Sequence, residues 1–372
     1  PARRLDTSSC SARTSTSSPS RVPASTHARP TQRASSLASD MGRIDTHHHY
    51  VPPKYAALLR ERGLTPGGIP VPSWSMEIAG KVLRKVGVDT AVLSLSTPGV
   101  WFGDAAEAAY WARHVNDYAA EVVERSPRQF GFFATLTLPD VDGAIREATH
   151  ALDVLKADGI VLLANNAGLY LGDPSFDRLL AFLGERRAVV FVHPGELPAE
   201  PVPEIPTFAA DFLLDTTRTT ISLILTGQLE RHPNITWLLA HAGGFVPYIA
   251  HRIVLATLKD EPKLKLAKLA LNPDKALAER LALVKRFWFD VALSSTPTAM
   301  PSLLAAADPT RIVFGTDFPF APAPAVKLME REYRKVDLSP DLRHAIDRGN
   351  AERLFPRLTA TAPSPTSPLP RH

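Results

Sequence analysis

Eight short apolar runs alternate with helix-like stretches along most of the chain, and this alternation limits the folds that the sequence can adopt. The runs are rich in β-branched and aromatic residues, which favours strands. Several are apolar almost throughout, as expected when helices cover both faces of a parallel sheet. The predicted strands are Arg43–His49, Thr90–Ser96, Phe130–Leu136, Gly159–Ala164, Ala188–His193, Thr236–His241, Phe287–Ala292 and Arg311–Asp317.

Helical patterns fill the intervals between these runs. The clearest are Ala105–Arg125, Val141–Ala157, Phe176–Glu185 and Thr216–Arg231. Eight strand–helix units favour an α/β fold of the closed (β/α)8 (TIM) barrel type over an open doubly wound sheet. No glycine-rich phosphate loop follows any of the strands. We therefore predict one barrel domain over residues 41–358.

The two ends of the chain differ from this domain in composition. Residues 1–40 are crowded with Ser, Thr, Arg, Pro and Ala, and their few large apolar residues show no period. Such a segment buries too little apolar surface to offset the entropy of ordering, so we expect a disordered extension there and a disordered tail at 359–372. Met41 would be the native start, and the extension a tag, a misjudged start or a transit peptide. We expect a cytoplasmic protein, with organelle targeting as the alternative.

Charge and cysteine content exclude several classes of protein. The chain has 42 basic and 38 acidic side chains, a net charge of +4. Residues 1–40 hold six arginines against two aspartates, and 359–372 hold one more arginine, so the rest is close to neutral and gives no support for nucleic-acid binding. No apolar run approaches the roughly 20 residues of a membrane span. Cys10 is the only cysteine, so no intrachain disulfide is expected.

Histidines and an aspartate lie at the C-terminal ends of the predicted strands, where (β/α)8 barrels build their active sites. His47 and His49 end the first strand, His193 the fifth and Asp317 the eighth. Because side chains alternate along a strand, His47 and His49 share a face and His48 points away, in a structural role. Imidazoles and a carboxylate are typical ligands of zinc. We predict that His47, His49, His193 and Asp317 bind one zinc ion, with manganese as the alternative.

His241 ends the sixth predicted strand and begins a turn, His241–Gly244, whose glycines let the backbone approach a ligand closely. We interpret His241 as a catalytic acid/base beside the metal, with a fourth imidazole ligand as the alternative. Asp317 is also counted as catalytic, because a carboxylate ligand can accept a proton from metal-bound water. The fourth strand, Gly159–Ala164, has no lysine or acid to bridge two metals. Asp290 is either a partner of a ligand or a structural hydrogen-bonding residue.

With these residues placed, the sequence resembles the amidohydrolase superfamily, and within it the branch of aminocarboxymuconate semialdehyde decarboxylase and the 6-methylsalicylate decarboxylases. The resemblance covers residues 41–355. Its strongest motifs are Ile44–His49, Phe191–Pro194, His241–Pro247 and Gly315–Phe320. Two further stretches, Trp74–Glu77 and Val92–Pro98, are closer to the methylsalicylate enzymes.

The resemblance implies a mononuclear zinc site at His47, His49, His193 and Asp317, with His241 as the neighbouring acid/base. It also implies a homodimer, because relatives place an arginine at the position of Arg252, where it reaches the active site of the second subunit. The alternative is a plain surface arginine. The stretch Arg62–Gly68 is shorter than the loop that supplies a substrate arginine in the muconate enzyme, so an acyclic muconate is not the expected substrate.

The activity implied is metal-dependent, non-oxidative decarboxylation of a hydroxylated aromatic acid such as 6-methylsalicylate, through protonation of a ring carbon. Trp74, Phe318 and Phe320 are expected either to form the apolar walls that hold the ring or to be packing residues. A lactone or ester hydrolase is the alternative enzyme, since the metal ligands are shared. A catalytically silent metal-binding protein is disfavoured, because it would be expected to have lost ligands and all four are present.

Overall fold

A computed structural model gives the architecture and describes residues 42–259, 261–263 and 271–359. The predicted disordered ends lie outside the described residues, apart from Thr359. Eight parallel strands form one sheet, in the order β1-β2-β3-β4-β7-β8-β9-β10. Their bounds are Arg43–His49, Val88–Ser94, Phe130–Thr135, Gly159–Leu163, Val189–His193, Thr236–Leu239, Trp288–Asp290 and Ile312–Val313. The remaining two strands, β5 (Asn165–Asn166) and β6 (Leu169–Tyr170), form a small antiparallel hairpin after β4.

The sheet curves back on itself, because the segment after its last strand pairs with its first. The Thr46 N–H donates to the Phe314 carbonyl (2.9 Å), and the His49 N–H donates to the Phe318 carbonyl (2.7 Å). A single parallel bridge joins His48 and Phe318 at the same seam. The predicted (β/α)8 barrel is therefore confirmed.

Helices surround this barrel. Their bounds, α1 to α13 in chain order, are Pro53–Glu61, Met76–Lys85, Ala105–Arg125, Val141–Thr149, Asp177–Glu185, Asp211–Leu225, Gln228–Arg231, Val246–Leu258, Pro273–Val284, Met300–Ala306, Ala323–Arg334, Pro340–His344 and Asn350–Leu354. Within the part of the chain that the structure describes, no helix combines the length and apolar character needed to cross a membrane.

Two of the predicted helices differ from the structure by more than one residue. The helix predicted over Val141–Ala157 ends at Thr149 and continues as a wider π turn over His150–Val154. The one predicted over Thr216–Arg231 is two helices, because Gly227 adopts a left-handed backbone (φ 75°) between them. Helix α3, by contrast, has the predicted bounds.

Two strands end before the functional residues that the sequence analysis assigned to them. The ladders stop at Leu239 and Val313, short of His241 and Asp317. The reason is local geometry: His241 has φ 53° and Asp317 has φ 61°, and left-handed residues cannot continue an extended strand.

The interior of the barrel is filled by apolar side chains, with one buried residue from each of seven strands. These are Ile44, Val92, Phe133, Val161, Phe191, Leu238 and Val313. The Phe191 ring lies 5.0 Å from the His47 ring and 6.0 Å from the His193 ring, centroid to centroid. The apolar interior therefore forms the floor beneath the histidines.

Candidate metal centre

Three imidazoles and one carboxylate converge above this floor. One ligating atom from each of His47, His49, His193 and Asp317 lies within 4.8 Å of the others, and all four residues are buried. Asp317 Oδ1 is 3.1 Å from His49 Nε2 and 3.3 Å from His47 Nε2. His193 Nε2 is buried and has no hydrogen-bond partner among the described residues. A buried polar atom left unpaired is costly, so this group of donors fits a bound cation.

The backbone brings Asp317 to the first strand. The Asp317 N–H donates to the His47 carbonyl (2.8 Å). Behind it, the buried Asp45 carboxylate accepts bonds from the Thr316 N–H (3.0 Å), the Thr316 hydroxyl (2.5 Å) and His48 Nδ1–H (3.1 Å). Asp45 thus ties β1 to the segment that carries Asp317, and it fixes His48 in a structural position. The sequence analysis gave Asp45 no role, although a carboxylate within a buried strand beside two ligands was a usable signal.

Each of the three histidines of the site uses its Nδ1–H to bond an acceptor on the protein. The pairs are His47 with Asp290 Oδ2 (2.8 Å), His49 with the Ser94 carbonyl (3.1 Å) and His193 with the Pro194 carbonyl (2.9 Å). Such bonds fix the ring orientation and the tautomer, and leave Nε2 as the free lone pair for a metal. The arrangement is therefore organised for three Nε2 ligands.

Asp290 has more than one partner in the site. Its Oδ2 accepts the bond from His47, and its Oδ1 accepts the backbone N–H groups of His241 (3.1 Å) and Ala292 (2.9 Å). The residue is fully buried. Of the two interpretations left open by the sequence, the contacts favour the partner of a ligand, and Asp290 also positions the turn that carries His241.

His241 stands beside the four ligands, in a short turn over His241–Gly243. Its Nε2 is 3.5 Å from Asp317 Oδ2, and its ring lies 4.8 Å from the His47 ring. Both ring nitrogens are buried; Nε2 faces the Asp317 carboxylate, and Nδ1 has no hydrogen-bond partner among the described residues. The ring is therefore free to exchange a proton with a bound molecule.

Burial and charge set the protonation of the group. Burial lowers the pKa of His49 and holds that of His193 well below its usual range. Burial also acts to raise the pKa of Asp317, but hydrogen bonds from the surrounding imidazoles outweigh it and hold the pKa well below its usual range. For His47, burial is outweighed by the charge of Asp290 and by hydrogen bonds to Asp290 and Asp317, which raise the pKa to about 10. A proton on His47 thus supplies, without metal, part of the positive charge that a cation would bring.

A cavity of about 720 Å³ opens from the ligands towards the surface. His193, His241 and Asp317 line its inner end. Most of the remaining wall is apolar and includes Ile69, Pro70, Phe208, Phe212, Phe320 and Met329. No lysine or arginine is present among the described residues that line it.

The profile of the family described as Amidohydrolase matches residues 44–357. The chain belongs to the amidohydrolase family. The resemblance inferred from the motifs is confirmed.

Two comparisons with individual proteins extend this result. The 6-methylsalicylic acid decarboxylase of Penicillium expansum is 34% identical over 328 residues, covering 86% of this amidohydrolase and 97% of the fungal protein. A solved structure named amidohydrolase II superposes with a TM-score of 0.76 at 29% identity, covering 84% of this chain and 99% of the other. With the decarboxylases among its relatives, the chain is a carboxy-lyase of the superfamily.

A more distant structure shares the fold. The 5-carboxyvanillate decarboxylase of Novosphingobium aromaticivorans, solved with manganese and a substituted nitrobenzoic acid, superposes with a TM-score of 0.68 at 20% identity. The match covers 85% of this amidohydrolase and 96% of that protein.

The structure separates the three aromatic residues assigned to the substrate walls. Phe320 lines the cavity of the amidohydrolase, and its ring lies 5.4 Å from the His49 ring. Trp74 and Phe318 are not among the lining residues. Trp74 is 7% exposed and packs against other rings, Tyr50, Tyr118 and Phe130, whereas Phe318 packs on His48. For these two the packing interpretation fits the contacts better.

The two arginines of the sequence analysis lie away from this cavity. Arg62 pairs with Glu107 and stacks on the Phe102 ring at 4.7 Å. Arg252 is exposed on helix α8, and its guanidinium has no hydrogen bond or ion pair with another described residue. Neither is among the residues that line this cavity.

Proposed function

We propose that this amidohydrolase removes carbon dioxide from a hydroxylated aromatic acid of the 6-methylsalicylate type, with one divalent cation bound by His47, His49, His193 and Asp317. The observation that carries the proposal is His241, a buried imidazole beside Asp317 at the inner end of an apolar cavity. The relation to the fungal 6-methylsalicylic acid decarboxylase supports the same activity.

The chemistry requires a proton donor on the ring face. Direct cleavage of the bond between ring and carboxylate would leave an unstabilised aryl carbanion. If the ring carbon that bears the carboxylate is protonated first, the ortho hydroxyl stabilises the resulting cation. Carbon dioxide then departs, and the electron pair of the broken bond restores the aromatic ring. One proton is consumed and one carbon dioxide is released for each phenol formed.

His47, His49, His193 and Asp317 would hold a divalent cation at the inner end of the cavity. When bound, the cation would supply positive charge for the carboxylate and hydroxyl oxygens of the substrate. We propose zinc, with manganese as the alternative, because both accept nitrogen and oxygen ligands. Asp317 would offset part of the metal charge, and Asp290 keeps His47 in the tautomer that leaves Nε2 free.

His241 is the group that we assign to proton transfer. An imidazole can hold and release a proton near neutral pH. Asp317 Oδ2, 3.5 Å away, stabilises the protonated ring by charge, and Asp290 fixes the backbone N–H of the turn. Phe320 closes the wall beside His49 and holds a flat ring against the inner end of the cavity.

A lactone or ester hydrolase with the same metal ligands was the alternative that the sequence left open. The related decarboxylases, each 34% identical over most of the chain, favour the carboxy-lyase instead.

The test is a substrate panel with metal-loaded protein. Incubation with 6-methylsalicylate is expected to release carbon dioxide and 3-methylphenol, with deuterium at the vacated carbon when the solvent is D₂O. His241→Ala is expected to abolish turnover with its metal content unchanged, whereas the control His344→Ala, at an exposed histidine, keeps both. Hydrolysis of lactones without carbon dioxide release from any hydroxybenzoate would refute the decarboxylase.

We also propose a homodimer in which Arg252 reaches the cavity of the second subunit. On helix α8, Tyr248 is 85% exposed and Leu255 is 67% exposed, and both lie on the same side of the helix as Arg252. Large apolar side chains exposed together on one helix face are typical of association surfaces. An arginine from the partner would also supply positive charge for the substrate carboxylate at the inner end of the cavity.

Mixing of inactive variants tests this arrangement. Arg252→Ala and His241→Ala are each expected to be inactive. Mixed dimers contain one cavity with both residues intact, so random mixing of subunits restores about a quarter of the activity of the unaltered protein. A monomeric mass by light scattering, or no recovery on mixing, would contradict the proposal.

A further inference from the structure

We propose that the cavity selects aromatic acids that carry an alkyl chain several carbons long in place of the methyl group of 6-methylsalicylate. The inference rests on the proposed function and concerns the substrate class of the same site. Three features support it: the size of the cavity, the chemistry of its walls and the contacts that hold the part of the wall around Gly67 in place.

The cavity is too large for a methyl-substituted ring. If each non-hydrogen atom is given the roughly 30 Å³ that a water molecule takes in the liquid, a generous allowance, 6-methylsalicylate fills about 330 Å³. The cavity measures about 720 Å³. More than half of it therefore stays open when this acid occupies the inner end, and a well-matched site leaves little such space.

The open part of the cavity is apolar. Away from the ligands, its wall is built from Ile69 and Pro70, from Phe208 and Phe212 near the start of helix α6, and from Met329 on helix α11. These elements are far apart in sequence, and all of them line this cavity. Ser96, Thr97 and Ser294 are the hydroxyl-bearing residues of the described lining, and they offer neutral groups only. A second carboxylate or another charged substituent has no partner there, so a hydrocarbon chain is the substituent that this wall favours.

The part of the wall around Gly67 is held in place by specific contacts. The Gly67 N–H donates to Glu196 Oε1 (3.2 Å). Gly67 has φ +62°, and a Cβ added there would lie 3.3 Å from the Phe212 ring. Glycine at this position therefore lets the chain pack closely on Phe212 in a conformation that other residues rarely adopt. This segment of the cavity wall is therefore fixed by contacts with the rest of the fold rather than being an unattached loop.

The first experiment measures binding separately from catalysis. The decarboxylation products 3-methylphenol, 3-propylphenol, 3-pentylphenol and 3-heptylphenol are titrated into the metal-free protein by calorimetry. Affinity is expected to rise by about threefold to fourfold for each added methylene, at least up to the pentyl compound. The same order is expected for kcat/KM of the metal-loaded enzyme with the corresponding 6-alkylsalicylates.

A matched pair of variants shows where the chain lies. Ala325 lines the cavity from helix α11, and Leu328, on the same helix, is 44% exposed and does not line it. Ala325→Trp is expected to remove most of the gain between the methyl and pentyl compounds, whereas Leu328→Trp leaves the gain unchanged. If both variants keep the gain, the chain does not occupy this space and the proposal is wrong.

The outcomes also separate this inference from the proposed function. If 6-methylsalicylate is decarboxylated but neither affinity nor kcat/KM rises with chain length, the chain-selective cavity is refuted and the decarboxylase stands. If the phenols bind more tightly with chain length and no alkylsalicylate releases carbon dioxide, the cavity stands and the proposed reaction fails.

Discussion

The substitution Asp290→Asn tests the support of the metal centre most directly. In the structure, Oδ1 of Asp290 accepts two backbone N–H groups, those of His241 and Ala292, and Oδ2 accepts His47 Nδ1–H. Asparagine has the same shape but only one oxygen. If that oxygen keeps the two backbone bonds, the amide NH₂ faces His47 Nδ1, and a donor then meets a donor.

His47 can avoid this clash only by changing its tautomer. Nδ1 then becomes an acceptor and Nε2 carries the hydrogen, so the lone pair that would bind the metal is lost. Removal of such an outer hydrogen-bond partner typically costs 10–100-fold in metal affinity. At about 1.4 kcal/mol for each factor of ten, this equals about 1.4–2.7 kcal/mol. We expect a loss in this range, with activity reduced at limiting metal and partly restored by excess metal.

Two measurements check this expectation. Competition with a chelator gives the metal affinity, and calorimetry in buffers of different ionisation enthalpy gives the protons released on binding. The released fraction is expected to fall, because the charge of Asp290 no longer raises the pKa of His47. Asp308→Asn is the control, at an aspartate that accepts a bond from the Thr310 N–H away from the site. Metal affinity within twofold of the unaltered protein would refute the assigned role of Asp290.

Three further predictions concern the same region. Metal affinity is expected to rise with pH, by up to tenfold per pH unit. The reason is that a cation must displace the proton that His47 holds below its pKa of about 10. Equal affinities at about pH 6 and about pH 8 would contradict this prediction. Phe191→Ala is expected to lower the free energy of unfolding by about 3–5 kcal/mol, measured with denaturant. The substitution leaves a cavity in the fully buried floor between His47 and Phe133. A loss below about 1 kcal/mol would show that neighbouring side chains move to fill the space. Gly315→Ala would place a Cβ 2.8 Å from His47 Cβ. This substitution is expected to lower the free energy of unfolding by about 1–3 kcal/mol and to weaken metal binding. An unchanged melting temperature and metal affinity would show that β1 moves freely.

The fold could be predicted from the sequence because its signal is local and repeated. Runs such as Phe130–Leu136 are apolar almost throughout, and each lies between helical patterns. The ligand residues could be named for the same reason, since ligand-type side chains recur at the ends of the runs. What joined them was a general property of barrels, whose strand ends meet on one face.

The remaining features depend on contacts between distant segments. Whether Trp74 lines the cavity or packs in the core depends on its neighbours Tyr118 and Phe130, which a pattern in one segment cannot show. The several partners of Asp290 lie on different elements in the same way. The left-handed backbone at His241 and Asp317 is set by the turn and the seam around them. The sequence therefore predicted both residues as the last residues of strands, whereas in the structure they follow the strands.

The seam of the barrel also determines when the ligand set can exist during synthesis. Two imidazoles belong to the first strand, whereas the carboxylate follows the last one, and Asp45 and Thr316, which hold the two sides together, are 271 residues apart along the chain. A nascent polypeptide therefore has no complete set of donors until almost all of it has left the ribosome and the cylinder has closed. Acquisition of an ion would in this way be restricted to chains that have finished folding, and an ion bound there would in turn fasten the end of the barrel to its beginning.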